Sequence, residues 1–326
     1  MIITRAPFRV SFFGGGTDYP EWFKKNEGAF ISLAIDKYAY ITLRVKPTFL
    51  EKRFRVSWRL QEDVSKISQI KHPIVKHSLQ ANKFNEGIDI TYLGDLPGGT
   101  GMGSSSSFTV ALNHALMIAK GNNPSPFDLA KFSYFIERDK LKEIIGIQDQ
   151  IAASYGGFNF VKIKKDGNFT INKIALSNNS MKDFEGRMFI LYTGISRRAS
   201  SVAEKQIKDI QKKEKVMTEM QKFVEEGYNY IINKKFDDFG KLLHENWLLK
   251  KSINKVITNT RIDELYDFGI KNGAIGGKLL GAGSGGFLLF FCKNYKVRDK
   301  LIKKFGKNEV LQISESLSGS EIIFKE

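Results

Sequence analysis

A segment that could bind the phosphates of a nucleotide runs from Pro97 to Ser107 and contains four glycines and four consecutive serines. Glycine lets backbone N–H groups approach an anion because it has no Cβ atom, and a helix that begins at the serines would point its positive end at the same place. A serine hydroxyl here can also ligate the Mg²⁺ that bridges nucleotide phosphates. No lysine follows the last glycine, which disfavours a Walker-type loop. We therefore predict a phosphate loop of another kind.

Two carboxylates, Glu137 and Asp149, follow this loop closely enough in the sequence to converge on it. Phosphoryl transfer uses one acid that holds Mg²⁺ and one that orients or deprotonates the attacking hydroxyl. Asp149 lies in the mostly uncharged run 144–157, which favours burial, and an unpaired buried carboxylate is costly. Charged residues follow Glu137 at 138–140, and for Glu137 a solvent-exposed surface acid is the stronger alternative.

A second glycine-rich segment, 276–286, precedes an apolar run at 287–291. Its glycines permit either the close packing of two backbones or a second wall for the phosphates. The sequence alone leaves both uses open.

The elements that must position these residues are predicted from hydrophobic spacing and turn residues. The pattern indicates strands at 39–45, 88–92 and 158–163, and a buried helix at 108–119 directly after the loop. Ser125 and Pro126 mark the start of a second helix, which we expect to carry Glu137. A shorter helix that holds Asp149 should end at Gly156.

A polar stretch at 166–185 marks the expected domain crossing, and we divide the chain into domains 1–175 and 176–326. The pattern beyond it predicts a strand at 188–193, an amphipathic helical region at 200–233, further helices to about 272 and a strand-rich end. This mixed order of strands and helices predicts an α+β second domain and not a doubly wound parallel sheet.

The chain carries a formal net charge of +16 and a pI near 9.6, so any polyanion is a candidate partner. Charge alone does not choose among nucleic acid, an anionic membrane and phosphorylated metabolites. Basic residues are spread along the chain without a basic tail, which favours a solvated basic surface, and the partners we expect are ATP and a sugar phosphate, with neither nucleic acid nor a membrane. No stretch approaches the roughly 20 apolar residues of a membrane-spanning helix, and a cytoplasmic protein is expected. The single cysteine, Cys292, excludes a disulfide within the chain.

Three motifs, in order along the chain, resemble those of the GHMP kinase family, which is named for galactokinase, homoserine kinase, mevalonate kinase and phosphomevalonate kinase. They are APFRVSFFGGGTDY at 6–19, PGGTGMGSS at 97–105 and KLLGAGSGGF at 278–287. The resemblance implies a two-domain α+β fold: an N-terminal α/β domain of the ribosomal protein S5 domain 2-like type, a ferredoxin-like C-terminal domain, and an active site in the cleft between them. It also implies a phosphotransferase that uses ATP and Mg²⁺, and it leaves a homodimer open.

The resemblance also assigns roles to individual residues. Ser105 and Glu137 are expected to hold Mg²⁺, Asp149 to be the catalytic carboxylate, and Arg9 to lie near Asp149 and the transferring phosphate. The loop residues expected to bind the ATP phosphates are Pro97, Gly98, Gly99, Thr100, Gly101, Met102, Gly103, Ser104, Ser105 and Ser106. The residues expected to bind the sugar are Gly15, Gly16, Thr17, Asp18, Tyr19, Arg197, Arg198 and Gly283. For a distal phosphate, the pair Arg197 and Arg198 is preferred over Lys24, Lys25 and Lys278.

The first motif narrows the expected substrate. Galactokinases read GEHTDY where this chain reads GGGTDY at 14–19, so the glutamate that contacts the exocyclic hydroxyl of the sugar is missing. The version here is similar to that of family members that phosphorylate the anomeric hydroxyl of a heptose 7-phosphate or of fucose. A heptose 7-phosphate, converted to the 1,7-bisphosphate for nucleotide-activated heptose synthesis, is the expected acceptor.

Alternatives within the family are fucose or another free sugar, homoserine and a mevalonate derivative. From other classes, a basic nucleic-acid-binding protein and a sugar sensor without catalysis are the rival interpretations.

Overall fold

The computed structural model describes residues 1–47, 49, 53–196 and 213–326, which form two β-sheets with helices packed against them. The strands are β1 Ile2–Phe13, β2 Gly28–Val45, β3 Phe54–Ser57, β4 Gln61–Val64, β5 Ile88–Gly94, β6 Phe158–Ile163, β7 Phe169–Lys173, β8 Met188–Tyr192, β9 Ala274–Leu279, β10 Phe287–Cys292, β11 Val310–Leu311 and β12 Glu321–Lys325. The α-helices are α1 Pro20–Asn26, α2 Pro73–Ala81, α3 Ser104–Ala119, α4 Pro126–Phe135, α5 Gln148–Tyr155, α6 Asn178–Gly186, α7 Glu214–Ile232, α8 Phe236–Ile253, α9 Thr260–Lys271 and α10 Tyr295–Phe305.

The first sheet is built around β2, whose 18 residues pair with β1 along one edge and with β6 and then β5 along the other. The strand order is β12-β1-β2-β5-β3-β4, with β6 and β7 joined to the beginning of β2. Helix α3 packs against β1 and β2, and most of its side chains are buried. A helix that is apolar on nearly all sides must lie inside the protein, so the segment after the glycine loop is held in the core.

The second sheet is antiparallel, with the order β11-β8-β10-β9. Along the chain, β8 is followed by α7, α8 and α9, then by the β9–β10 hairpin, α10 and β11. This is the β-α-β-β-α-β arrangement of the ferredoxin-like fold with extra helices in the first crossover, as the sequence predicts.

Aromatic side chains join the two sheets into one core. Phe12 at the end of β1 lies with its ring centroid 5.3 Å from that of Phe239 on α8, and Phe184 on α6 contacts both Phe158 on β6 and Phe291 on β10. Such pairs contribute about 0.5–1.5 kcal/mol each beyond the apolar area that they bury. Residues of both sheets therefore belong to one hydrophobic core.

Most predicted elements of the first half are confirmed, including the helix that starts at Ser125, whose hydroxyl accepts a hydrogen bond from the backbone N–H of Asp128 at 3.1 Å. The expectation that this helix carries Glu137 is wrong. Helix α4 ends at Phe135, and Glu137 lies in a π-helical turn, Ile136–Lys140, that continues from it. The turn has one more residue than an α-helical turn because a backbone bond there spans five residues instead of four.

In the second half, β8 and helices α7 to α9 agree with the predicted pattern, whereas the strand-rich end also contains helix α10. Residues 197–212, which include the beginning of the predicted helical region, lie outside the described residues. The last strand, β12, pairs with β1 in the first sheet, so the C-terminal segment crosses back over the domain boundary, whose place at 175 stays a prediction. Among the described residues, no helix is long and apolar enough to cross a membrane.

Candidate active site

The predicted phosphate loop connects β5 to α3 and forms one wall of a cavity of about 200 Å³. Helix α3 begins after Gly103, whose φ of 77° lies in the left-handed region that favours glycine. Its first turn, Ser104 to Ser106, lines the cavity, so the positive end of a 16-residue helix faces this space. The loop and the helix end can therefore hold an anion as the sequence predicts.

The second glycine-rich segment packs directly on the phosphate loop. A Cβ atom on Gly101 would lie 2.4 Å from the carbonyl oxygen of Leu280, and one on Gly281 would lie 2.5 Å from the Cα of Gly101. Gly281 and Ala282 also line the cavity. Close packing of two backbones is thus confirmed, whereas a second wall for the phosphates stays a prediction, for which Gly281 and Ala282 are suitably placed.

A charged pair, Arg9 on β1 and Asp149 on α5, lies beside the phosphate loop. The guanidinium Nε and Nη2 donate to the two carboxylate oxygens of Asp149 at 2.7 and 2.8 Å, and Nη1 donates to the carbonyl of Gly101 at 2.6 Å. The Arg9 side chain is 7% exposed and that of Asp149 is 26% exposed, so the arginine is buried behind the acid. This arrangement leaves the carboxylate open to the cavity.

Ser105 and Glu137 meet on the other side of the helix end. The Ser105 hydroxyl donates to Oε1 of Glu137 at 2.8 Å, and the side-chain amide of Gln150 donates to Oε2 at 2.6 Å. Glu137 is fully buried, and burial raises its pKa to about 7 although these hydrogen bonds favour the charged form. The expectation of a surface acid at this position is therefore wrong.

Asp18 faces the same cavity from the loop after β1. Its two carboxylate oxygens accept hydrogen bonds from the backbone N–H groups of Gly16 and Gln148 at 3.1 and 3.2 Å. Burial, followed by the charge of Asp149, raises the pKa of Asp18 to about 6. A Cβ atom on Gly146 would lie 1.9 Å from this carboxylate, so only glycine fits against Asp18 there.

The remaining polar wall of the cavity is basic. Lys250 on α8 and Lys278 on β9 are 4% and 3% exposed, and both line the cavity. Burial lowers the pKa of Lys250 to about 8 and that of Lys278 well below its usual value, and the neighbouring Arg9 contributes to both shifts. Arg9, Lys250 and Lys278 therefore line the same cavity as Asp18 and Asp149.

Several predicted site residues do not line the cavity. Thr17 donates its hydroxyl to the backbone carbonyls of Gly14 and Ala29, Thr100 donates to the carbonyl of Pro97, and Met102 is fully buried. Those found outside the lining are Thr17, Pro97, Gly98, Thr100, Met102, Gly283, Lys24 and Lys25. The first five shape the loops that carry the lining residues. Arg197 and Arg198 lie outside the described residues.

Comparison with known families agrees with this geometry. The family model "GHMP kinases N terminal domain" matches residues 70–157, and "GHMP kinases C terminal" matches residues 228–310. Together they span more than half of the chain. This chain belongs to the GHMP kinase family.

Individual GHMP kinases are similar over the whole chain. A D-glycero-alpha-D-manno-heptose 7-phosphate kinase of Campylobacter jejuni is 27% identical over 323 residues, which cover 94% of each chain. A bifunctional fucokinase/GDP-fucose pyrophosphorylase of Arabidopsis thaliana is 25% identical over 88% of this chain and 29% of its own. The crystal structure of a D-glycero-D-manno-heptose 1-phosphate kinase from Bacteriodes thetaiotaomicron has the same fold, with a TM-score of 0.83, 19% identity and full coverage of both chains.

These findings confirm the predicted two-domain GHMP kinase fold and the prediction of an enzyme, a phosphotransferase with an alcohol group as acceptor. Members of this family use ATP as the phosphate donor. The rival interpretation as a nucleic-acid-binding protein explained only the net charge, whereas family membership also accounts for the glycine loops and the carboxylates.

The residues of this GHMP kinase fit a magnesium ion between Ser105 and Glu137. Mg²⁺ prefers oxygen ligands and commonly takes one or two from the protein and the rest from phosphates and water. A buried carboxylate and a hydroxyl 2.8 Å apart at the end of the phosphate-loop helix supply such a set. Close by, the Oε1 of Gln150 is buried without a hydrogen-bond partner among the described residues, so the site has unused polar capacity.

The sequence reasoning did not single out Gln148, Gln150 or Lys250. The two glutamines flank Asp149 in an otherwise mostly apolar run, and this contrast is a signal that could have found them. Lys250 is followed by Lys251 on an amphipathic helix, where nothing in the sequence separates a buried lysine from an exposed one. Its role in the site depends on how α8 is rotated against β9.

Proposed function

We propose that this GHMP kinase transfers the γ-phosphoryl group of ATP to the anomeric hydroxyl of a heptose 7-phosphate and releases the 1,7-bisphosphate and ADP. The observation that carries the proposal is the Arg9–Asp149 pair, which presents a carboxylate to the cavity beside an anion-binding loop. The identity of the sugar is supported by the Campylobacter jejuni relative, a heptose 7-phosphate kinase that matches 94% of the chain, and by the glycine triplet at 14–16.

In this mechanism Asp149 receives the sugar hydroxyl. Each carboxylate oxygen has a second lone pair after it accepts from Arg9, so it can also accept a hydrogen bond from the substrate. As the hydroxyl oxygen bonds to the γ-phosphorus and the bond to the β-phosphate oxygen breaks, Asp149 takes the proton. General base catalysis of this kind typically contributes 10²- to 10⁴-fold, with about that range expected here.

The other residues hold the reacting groups in place. Asp18, held by the backbone N–H groups of Gly16 and Gln148, orients a sugar hydroxyl, and the α3 end and loop amides hold the triphosphate. Arg9 stabilises charge on the transferring group while it keeps Asp149 aligned. A magnesium ion held by Ser105 and Glu137 would neutralise charge on the phosphates.

The test is a measurement of ADP release with a panel of acceptors: heptose 7-phosphate, free heptose, fucose, galactose, mannose, homoserine and mevalonate. We expect heptose 7-phosphate to give the highest kcat/KM, and phosphorus NMR of the product to show coupling to the anomeric proton. Turnover of another acceptor with none of heptose 7-phosphate would refute the sugar assignment. A product phosphorylated at another carbon would refute the anomeric position.

A further inference from the structure

Two buried lysines in the cavity have no acidic partner within the part of the chain that the structure describes. The amino group of Lys250 donates to the carbonyl of Gly281 at 2.6 Å, and that of Lys278 donates to the carbonyl of Phe12 at 2.7 Å. Among the described residues, neither forms an ion pair with a carboxylate. Lys46, which is also buried, is paired with Asp89 at 3.3 Å, as buried lysines usually are.

An uncompensated buried cation is costly, and the cost is recovered when an anion binds it. An ammonium group has three N–H donors, and Lys250 and Lys278 each spend one on a backbone carbonyl. The remaining donors belong to side chains that line the cavity. The structure therefore holds more hydrogen-bond donors at this wall than its own acceptors use.

The backbone partners of the two lysines relate both side chains to Arg9. Gly281, the partner of Lys250, packs on Gly101, and the carbonyl of Gly101 accepts from Arg9. Phe12, the partner of Lys278, follows Arg9 by three residues on β1. Both amino groups thus bind carbonyls of segments that contain Arg9 or pack against its partner Gly101.

We propose that Lys250 and Lys278, together with Arg9, form a site for a phosphate dianion of a bound substrate. The chemistry fits either the terminal phosphate of the nucleotide or the distal phosphate of a phosphorylated sugar. This proposal rests on the proposed function for the identity of those two ligands. It differs from the sequence-based preference for Arg197 and Arg198, because the cations come from α8 and β9.

The experiment compares Lys250→Met and Lys278→Met with Lys251→Met as the matched control. Lys251 follows Lys250 on α8 and carries the same charge, but it forms an ion pair with Asp263 and does not line the cavity. Affinities for ATP, ADP, heptose 7-phosphate and free heptose are measured by calorimetry, after circular dichroism and thermal unfolding establish that each variant is folded. Methionine removes a costly buried charge at similar volume, so we expect folded proteins.

The two sources of phosphate give different results. If the site holds the terminal phosphate, the two cavity variants bind ATP about 10- to 100-fold more weakly and ADP unchanged. If the site holds the phosphate of the sugar, the two cavity variants bind heptose 7-phosphate about 10- to 100-fold more weakly and bind free heptose with unchanged affinity. Affinities that all stay within twofold of those of Lys251→Met would overturn the proposal and leave the lysines as structural links.

A second readout excludes a purely structural role. Arg9 lies near both lysines and contributes to their low pKa values, and Asp18, Tyr19, Glu137, Glu143 and Asp149 line the same cavity. A bound dianion should raise the pKa values of both lysines. Binding at pH 8 should then take up protons, measured from the dependence of the binding heat on the ionisation enthalpy of the buffer, and the uptake should shrink in both cavity variants. Unchanged uptake would count against the site.

The nucleotide measurements do not require that heptose 7-phosphate be a substrate. Suppose that the acceptor panel shows no turnover of heptose 7-phosphate, while the two cavity variants lose affinity for ATP but not for ADP. That result would refute the proposed substrate and support this phosphate site. The opposite result, turnover of heptose 7-phosphate with unchanged ligand affinities in the two cavity variants, would refute the phosphate site and leave the proposed substrate in place.

Discussion

The guanidinium of Arg9 and the carboxylate of Asp149, 140 positions apart in the chain, form two parallel hydrogen bonds of 2.7 and 2.8 Å. The third donor of Arg9 binds the carbonyl of Gly101 in the phosphate loop. One side chain therefore fixes the acid and the anion-binding loop relative to each other. A bidentate pair of this kind fixes both the position and the orientation of the Asp149 carboxylate. A carboxylate that accepts a hydrogen bond from a sugar hydroxyl needs both.

Replacing Asp149 by asparagine should reduce kcat by about 10²- to 10⁴-fold, because the amide cannot take the proton of the attacking hydroxyl. The affinity for ATP should stay within a few-fold of the wild-type value, since the phosphate loop is unchanged. Single-turnover kinetics and nucleotide titration measure the two quantities separately. Equal losses in both would show that Asp149 is a structural residue.

Replacing Arg9 by lysine tests whether the site needs the planar guanidinium, with its several N–H donors in fixed directions, or only a positive charge. Lysine keeps the positive charge but cannot make two parallel bonds to Asp149 and a third to Gly101. We expect kcat to fall by about 10-fold or more, corresponding to the loss of at least one charged hydrogen bond of about 1.5–3 kcal/mol. A variant with wild-type kcat would mean that charge alone is sufficient.

Replacing Glu137 by glutamine should increase the magnesium concentration needed for half-maximal activity, because one of two expected protein ligands loses its charge. Outer-shell partners of metals typically contribute 10- to 100-fold in affinity, and a direct ligand should contribute at least about 10-fold. Gln150→Leu is the companion variant, since it removes the amide that holds Glu137. An identical magnesium dependence in Glu137→Gln and the wild type would rule out the assignment.

The stability of the ligand-free enzyme should depend on pH through Asp18. Its pKa is about 6 in the folded protein and 3.8 in the unfolded chain, so between these values the folded state holds a proton that the unfolded state has released. Stability is therefore lost as pH rises from about 4 to above 6, by about 3 kcal/mol at most.

The variant Asp18→Asn has no titrating proton at this position and lacks this loss. It should thus be more stable relative to the wild type at pH 7.5 than at pH 4.5, by denaturant unfolding at both values. A difference in unfolding free energy that is the same at both pH values would contradict the raised pKa.

Gly101 and Gly121 offer a matched pair for the contact between the two glycine loops. Both have a φ near 78°, but a Cβ atom on Gly101 would collide with Leu280, whereas one on Gly121 meets nothing within 4 Å. Alanine should strain both backbones equally, and the collision should make Gly101→Ala less stable than Gly121→Ala by about 1–3 kcal/mol. Only Gly101→Ala should also weaken ATP binding. Similar unfolding midpoints of the two variants would show that the two glycine loops move apart at little cost in free energy.

The parts that the sequence could predict are those encoded by local patterns. The glycine loop, the capped helix at Ser125, the short helix with Asp149 and an α+β second half follow from turn residues and hydrophobic spacing. The ferredoxin-like arrangement of that half is implied only by the family resemblance. The burial of Glu137 could not be seen, because charged neighbours on a helix usually indicate a surface. In the fold, the π-helical turn buries Glu137, whereas Asp139 and Lys140 of the same turn are exposed.

Long-range packing also decided the roles of the lysines and of Thr17. Lys250 is buried because α8 lies against β9, and the sequence near it contains no sign of that contact. Thr17 stands in a motif with Asp18, yet its hydroxyl serves the backbone of the turn. Neighbouring positions in a motif can therefore divide between shaping a loop and facing a ligand.

The direction of the Glu137 side chain depends on the number of residues in the π-helical turn at Ile136–Lys140. Deleting one residue there would let the turn relax to an ordinary α-helix, and each residue of an α-helix advances the side-chain direction by about 100°. Glu137 would then point away from Ser105. Insertions and deletions between α3 and Asp149 should be tolerated only where they preserve this surplus residue, because Glu137 lines the cavity.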